Sequence, residues 1–158
     1  MKRQSGFTLL EILVALAIVG ILSATAVPLY HTWQGRAYGS EAAIMLRQII
    51  SAEINYYLEN NKFYPDNNTY IIPHEGQPEP TDIEVIKEIA DNLNITINQG
   101  HFLEYGLTGD NNPNPAEGYS FILTIRSKNY EFKIFQDAKE IIAKMDEKGN
   151  VENFFPHY

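Results

Sequence analysis

An α+β fold, in which one long amino-terminal helix lies on a small antiparallel sheet, is what this sequence predicts, and three observations carry it. Phe7 to Tyr30 is an apolar run with a single charged side chain, Glu11. Ala42, Met45, Ile49, Ala52 and Tyr56 then continue an apolar stripe at three- and four-residue spacings. The last part of the chain alternates aromatic and β-branched residues with polar ones in short runs broken by turn residues.

A chain of 158 residues with 44% hydrophobic and 20% charged side chains is suited to one folded unit with a core, not to a disordered polymer. The formal charge is −8, and loss of a segment holding Lys2 and Arg3 would make it −8 − 2 = −10, so the body is not expected to bind nucleic acid directly. With no cysteine, disulfides and cysteine-based zinc or redox sites are excluded.

The first element is the apolar run. As an α-helix, Phe7 to Tyr30 would extend about 36 Å, enough for a hydrocarbon core of roughly 30 Å. Lys2 and Arg3 ahead of it predict a cytoplasmic amino end, a single pass and a carboxyl end outside the cytoplasm. Ala24-Thr25-Ala26 offers a signal-peptidase pattern. Against that reading, the run is long for a signal peptide, Glu11 interrupts it, and helical patterning continues past the cut. A plain membrane anchor fits the hydropathy better. A carboxylate inside a spanning helix is costly, so Glu11 alone reads equally as a side chain reaching the headgroups or as one with a functional partner.

Gly6-Phe7-Thr8-Leu9-Leu10-Glu11, after a short basic leader and before an apolar helix, resembles the cleavage and methylation segment of type IV pilins and type II secretion pseudopilins. The resemblance implies that a membrane-embedded prepilin peptidase and N-methyltransferase cuts between Gly6 and Phe7 and methylates the new Phe7 amine. Glu11 then corresponds to the family's assembly glutamate. It further implies self and other pilins in a helical filament, an inner-membrane assembly platform and membrane lipid as partners. A residue without Cβ lets the backbone lie extended in a protease cleft at little steric cost, which suits Gly6. Gly20 and Pro28 resemble the family's helix-weakening positions, since proline removes an amide donor and glycine has low helix propensity.

Past the bilayer the helix is expected to run on to about Asn60, with Arg47, Gln48, Ser51, Asn55 and Glu59 on the face opposite the apolar stripe. Asn60-Asn61 and Phe63-Tyr64-Pro65-Asp66-Asn67-Asn68 should end it, because proline disfavours helix at the residue before it and Asn and Asp favour turns. Thr81-Asp82-Ile83-Glu84 has the form of a capping box, and Ile83, Ile86, Ile89, Ala90 and Leu93 form a stripe, so a short helix is expected from about Asp82 to Leu93. Tyr119 to Arg126 and Tyr130 to Phe135, separated by Ser127-Lys128-Asn129, read as a hairpin. Ile141 to Met145, the turn Asp146 to Asn150, and Val151 to Phe155 supply further strands. Together these give the pilin-like architecture that the resemblance also implies.

Sites for chemistry are sparse. His31, His74, His101 and His157 lack ligand spacing, and Ser120 and Ser127 lie in expected strands without a recognisable base, so no enzyme is expected. The stretch Gly109 to Gly118 is rich in oxygen ligands, and Asp110, Asn112, Asn114 and Glu117 are candidate calcium ligands, as the resemblance to calcium-binding pseudopilins allows. Its spacing is not that of an EF-hand, and the same residues suit any turn. Many pilins close their carboxyl-terminal region with a disulfide; without cysteine, calcium or hydrogen bonding must pin it here.

The expected organisation is a leader at 1–6, a transmembrane half-helix at 7–30, and a periplasmic or extracellular domain at 31–158 that includes the second half of the helix. The expected function is a structural subunit of a type IV pilus or a periplasmic pseudopilus, made as a bacterial inner-membrane precursor. A membrane-anchored binding or sensor module, or a soluble protein released after Ala26, are the other readings. The first residue of the mature chain, Phe7, Met1 or Val27, separates the three.

Overall fold

The structure, a computed structural model, describes residues 6–73, 80–97, 102–114, 118–127, 133–135 and 138–154. Helix α1 covers Leu9–Asn60, helix α2 Pro80–Leu93, and the strands are β1 Thr69–Ile72, β2 Leu103–Asn114, β3 Gly118–Ser127, β4 Glu140–Asp146 and β5 Val151–Phe154. The chain divides into two compact units, one ending at Gln34 and one starting at Gly35.

In the first unit, α1 is apolar all round and its side chains are solvent-exposed, from Leu9 at 81% to Leu29 at 58%. In the second unit the same helix becomes one-sided. Tyr38, Ala42, Met45, Ile49, Ile50 and Ala52 are buried, while Arg47, Ser51, Asn55 and Glu59 are exposed, as the stripe predicts. The helix stops at Asn60. Asn61 and Asn67 adopt positive φ of 53° and 51°, a conformation asparagine tolerates better than most residues, and the Tyr64–Pro65 peptide between them is cis.

The five strands form one antiparallel sheet in the order β1-β2-β3-β4-β5, each paired with its sequence neighbours. Leu103, Tyr105, Leu107, Phe121, Leu123, Ile125, Ala143 and Met145 alternate inward and meet the helix stripe and the inner face of α2, Ile89 and Leu93, in one core.

Two expectations are corrected. The hairpin of Tyr119 to Arg126 with Tyr130 to Phe135 does not form: β3 pairs with β2 and β4, and Lys133–Phe135 is a strap whose one bridge is Phe135 to Ala138. Residues 128–132 lie outside the described residues, as do Phe155 and the side chains of Thr81 and Asp82. The stretch from Gly109 onward, expected as a loop, is the end of β2. The buried–partly buried alternation from Leu103 to Gly109 is a strand pattern, and a register shift between Asp110 and Asn114 lets the strand carry Pro113.

Polar side chains fasten β2 to α1 and to the turn that follows it. The Glu41 carboxylate accepts from the amides of Phe102 and Leu103 at 3.1 Å each and from the Tyr105 hydroxyl at 2.7 Å, fastening the start of β2 to α1. Burial and this carboxylate push the Tyr105 hydroxyl far above the usual tyrosine range. At the other end, the Asn111 side-chain oxygen accepts from Phe63 N at 2.7 Å, and its amide donates to Phe63 O at 2.8 Å and Asp66 Oδ1 at 3.0 Å. This clips the turn after α1 onto β2. Gly109 is required beside it, because a Cβ there would stand 2.2 Å from Pro65 O. Gly39 plays the same part under the strap, where a Cβ would stand 2.8 Å from Ile134 O.

Glu53 is the one carboxylate of α1 that is wholly buried. Its Oε2 accepts from Tyr64 N at 3.1 Å and its Oε1 has no partner. Burial outweighs the Tyr64 amide and raises its pKa from 4.5 to about 8. The folded chain therefore keeps a proton that the unfolded chain releases. This contribution is fully present below pH 4.5 and is lost as pH rises through about 8. At about 1.4 kcal/mol per unit, the loss has an upper bound of roughly 5 kcal/mol. The chain lacking its first 29 residues is expected to fold as a soluble monomer and to be measurably less stable to urea at pH 8 than at pH 5. Glu53→Gln should flatten that slope; an unchanged slope would show that Glu53 is ionised in the fold.

Candidate functional site: the amino-terminal helix start

The candidate site is built on the first turn of α1. Gly6 and Phe7 precede the helix in non-helical conformation, and Phe7 is 82% exposed. A Cβ on Gly6 would meet nothing within 4 Å, so any demand for glycine there comes from a partner and not from this fold. Both residues flanking the peptide bond between them are exposed. Lys2 and Arg3 lie outside the described residues.

Thr8 is the N-cap. Its hydroxyl accepts from Glu11 N at 3.3 Å, and the Glu11 carboxylate accepts from Thr8 N and Thr8 Oγ1, both at 2.9 Å. This is a reciprocal capping box, legible in Thr8-x-x-Glu11 and overlooked in the reading of Glu11 as an isolated charge. The carboxylate thus serves its own helix, where it also offsets the positive end of the helix dipole. Nothing in this arrangement stops it from accepting a further donor, since a carboxylate has about four acceptor positions.

Gly20 and Pro28 both lie inside α1, which continues through them. Pro28 supplies no amide hydrogen, so the Ala24 carbonyl lacks its helical donor. Hydroxyls nearby also bond the backbone, Thr25 to Leu22 O at 2.9 Å and Thr32 to Pro28 O at 3.1 Å.

The candidate calcium ligands are not brought together by what is described. Asp110 is an exposed residue of β2; the side chains of Asn112 and Asn114 and the whole of Glu117 lie outside the described residues. Asn111, which the reading did not select, is committed to the turn after α1. Among the described residues no group of three or more His, Asp or Glu could hold a metal ion. His31 packs edge-on to Tyr30 at 6.0 Å, and His74, His101 and His157 lie outside the described residues.

Residues 1–27 match the family model of the prokaryotic N-terminal methylation motif. The chain is 47% identical over 66 residues to a type IV major pilin protein of Neisseria gonorrhoeae, covering 42% of this chain and 39% of that protein. It is 36% identical over 61 residues to the type IV major pilin protein of Myxococcus xanthus, covering 39% and 28%, and 38% identical over 66 residues to a fimbrial protein of Moraxella nonliquefaciens, covering 42% of each. The matched length is less than half of the curated relatives. No solved structure matches the chain.

The capping box makes a specific demand on Thr8. Thr8→Val removes the hydroxyl that both gives and takes a bond, a loss of about 1 kcal/mol for an N-cap. Amide exchange at Glu11 and Ile12, followed by NMR in lipid nanodiscs, should speed up about fivefold, with residues past the first turns unaffected. Unchanged exchange would mean that the cap does not hold the helix start.

Proposed function

We propose, for a chain that belongs to the type IV pilin family by its amino-terminal region, that it is a structural subunit of a type IV pilus. On this reading it is made as an inner-membrane precursor, clipped after Gly6, methylated on Phe7, and assembled through α1. The observation that carries this is the exposed Gly6–Phe7 bond placed directly ahead of a capped helix that is apolar all round. A helix apolar on every side needs either lipid or other helices around it. A filament subunit passes from the first to the second.

The second half of α1 supports the same reading. Ile44, Ile54 and Leu58 are exposed, at 65%, 37% and 74%, and at about 100° per residue they fall within one arc of roughly 80°, which they share with Arg47 and Ser51. That face is suited to packing against other subunits. The curated relatives are named as pilins and fimbrial proteins, which favours a pilus over a pseudopilus. No catalytic step belongs to this role: the chain is the substrate of the peptidase and the methyltransferase, and the filament is its product.

Glu11 is assigned to assembly through its charge. Cleavage creates a cation at Phe7, and a methylated secondary amine stays protonated. A carboxylate and an ammonium attract strongly in a low dielectric, but desolvation offsets much of the gain. Registry is the larger benefit, because one axial offset between parallel helices pairs Glu11 of one subunit with the amine of the next.

Intact-mass measurement of the native chain should find residues 1–6 lost and Phe7 methylated; a chain retaining Met1 in a cell with active prepilin peptidase would overturn the assignment. Gly6→Val should accumulate uncut precursor, because a β-branched residue is restricted at χ1 and crowds an extended leader. Glu11→Gln, expressed as the sole copy, should be inserted and cleaved at normal levels but yield few sheared filaments, with Glu11→Asp milder. Wild-type filament yield from Glu11→Gln would reduce Glu11 to its capping role.

A further inference from the structure

A cleft of about 410 Å³ lies wholly within the second unit, between the last turns of α1 and the end of α2. Small-molecule sites fall between about 300 and 1,000 Å³, so it has room for one. The buried part of its lining is apolar, Ala52 and Leu93. The chain around it is fixed by its own hydrogen bonds. α2 ends at Leu93, Asn94 adopts a positive φ of 51°, and Ile95 N donates to Ala90 O at 3.1 Å. Gln48 Nε2 then donates to Thr96 O at 3.1 Å, tying the segment after α2 back to α1. Asn92 Nδ2 is committed in the same way, to Glu88 O at 2.9 Å.

Within this frame stand four lining side chains that bond no other described residue: Ser51, Asn55 and Glu59, in one row at four-residue spacing on α1, and Asn94 facing them from the end of α2. Tyr56 adds an aromatic wall, its ring held edge-on to Tyr64 at 5.6 Å. Glu59 is the one charged side chain among the described lining residues. The charges nearest in sequence lie outside the lining: Arg47 and Asp91 are exposed, Lys62 pairs with Asp66 at 2.8 Å, and Glu88 receives the hydroxyls of Tyr64 and Tyr70.

We propose that this cleft binds a neutral saccharide, with Asn55, Glu59 and Asn94 taking its hydroxyls and Tyr56 lying against a ring face. A carboxamide sets a donor and an acceptor side by side, and a carboxylate sets two acceptors side by side. Neighbouring hydroxyls of a sugar ring, each able to give and to take a bond, match such two-atom groups. An extended peptide matches them poorly, because its donors and acceptors come singly and point to alternate sides. A polyamine or a phosphate is disfavoured by the charge count, since one carboxylate stands among neutral amides and hydroxyls. The negative face of a tyrosine ring attracts the weakly positive C–H groups of a sugar, and its hydroxyl end tolerates water. Each hydrogen bond to a sugar replaces one to solvent with little net gain, so binding depends on several groups held in place before the ligand arrives. The bonds of Gln48, Asn92 and Ile95 supply that preorganisation.

The test titrates the full chain, labelled with nitrogen-15 and held in lipid nanodiscs, while NMR follows its side-chain amides. The probes are methyl β-galactoside, methyl β-glucoside, methyl α-mannoside and N-acetylglucosamine, with spermidine and an acetylated triglycine amide as the cationic and peptide alternatives. The Asn55 and Asn94 amides should shift saturably with at least one saccharide, and that of Asn150, which is bonded to Asp146, should not. Asn55→Ala, and Asn94→Gly, which suits the positive φ, should each weaken binding about tenfold, read at the amide that remains. Glu59→Gln keeps the size and removes the charge, and should weaken it about fivefold. Unchanged shifts of the Gln48 side-chain amide in the free variants show that the frame is intact. Absence of a saturable shift with every saccharide overturns the proposal, as does saturable binding that all three variants leave unchanged. Saturation by spermidine or the peptide alone reassigns the cleft and overturns it too. Shifts at Asn55 and Asn94 that follow chain concentration without any saccharide assign the cleft to a second copy, with the same consequence.

Discussion

Everything in this chain depends on one helix having to satisfy two environments. Up to about Tyr30 the side chains of α1 are predominantly apolar on all sides, with Glu11 the single charge, and they are exposed. From Gly35 onward the same backbone carries an apolar stripe on one side and Arg47, Ser51, Asn55 and Glu59 on the other. A helix stabilised only by propensity is marginal, so each half must draw its stability from what packs on it. For the second half that is the inward face of a five-stranded sheet together with α2. For the first half it must be something other than this chain, which is the physical root of the proposed membrane anchoring and filament assembly.

A domain without disulfides must still hold long connections to that helix. It does so with carboxylates and amides at a few places where backbone donors or acceptors would otherwise be unpaired. Glu41 takes the two amides at the start of β2, Asn111 pairs both backbone groups of Phe63, and Glu88 receives the hydroxyls of Tyr64 and Tyr70, which joins α2 to the turn and to β1. Gly39 and Gly109 let the backbones approach closely enough for these contacts. Glu53 fits this scheme least well: it caps Tyr64 N but leaves one oxygen unpaired, and it gains by staying protonated.

The helices were legible because their signals are local. The apolar run, the stripe from Ala42 to Tyr56, and the Asn-rich stop at Asn60 each lie within a few turns of one another, and α2 starts within two residues of its expected position. β3, β4 and β5 could be read from alternation alone. β2 was hidden because Gly106, Gly109 and Pro113 look like turn residues when the partner strands are unknown; a glycine that exists to admit Pro65 O cannot be told from one that makes a turn. The strap at Lys133–Phe135 failed in the opposite way, since a β-rich composition there serves docking on α1 instead of pairing. At the candidate site, Gly6, Phe7 and Glu11 came from a resemblance, whereas the hydrogen-bonding role of Thr8 was written in the spacing and missed.

The capping box changes how Glu11 must act. An isolated carboxylate in a bilayer would seek any cation, and nearly any pairing would relieve it. In this chain it already accepts two hydrogen bonds from Thr8, so part of its desolvation is offset within its own helix. Cleavage after Gly6 would then place the new amine one residue from Thr8, within reach of the same carboxylate. In the proposed filament two cations would therefore compete for Glu11: the amine of its own chain, favoured by proximity, and that of a neighbour, favoured only when the two helices have the right offset. Because the intramolecular partner would always be present, a mismatched neighbour would gain little by displacing it, and only the offset that also packs the exposed apolar faces together would bring enough additional contact to win. On the proposed function, the capping box would thus turn a strong but unselective attraction into a selective one, since what would decide assembly is the difference between two satisfied states and not the relief of an unsatisfied charge.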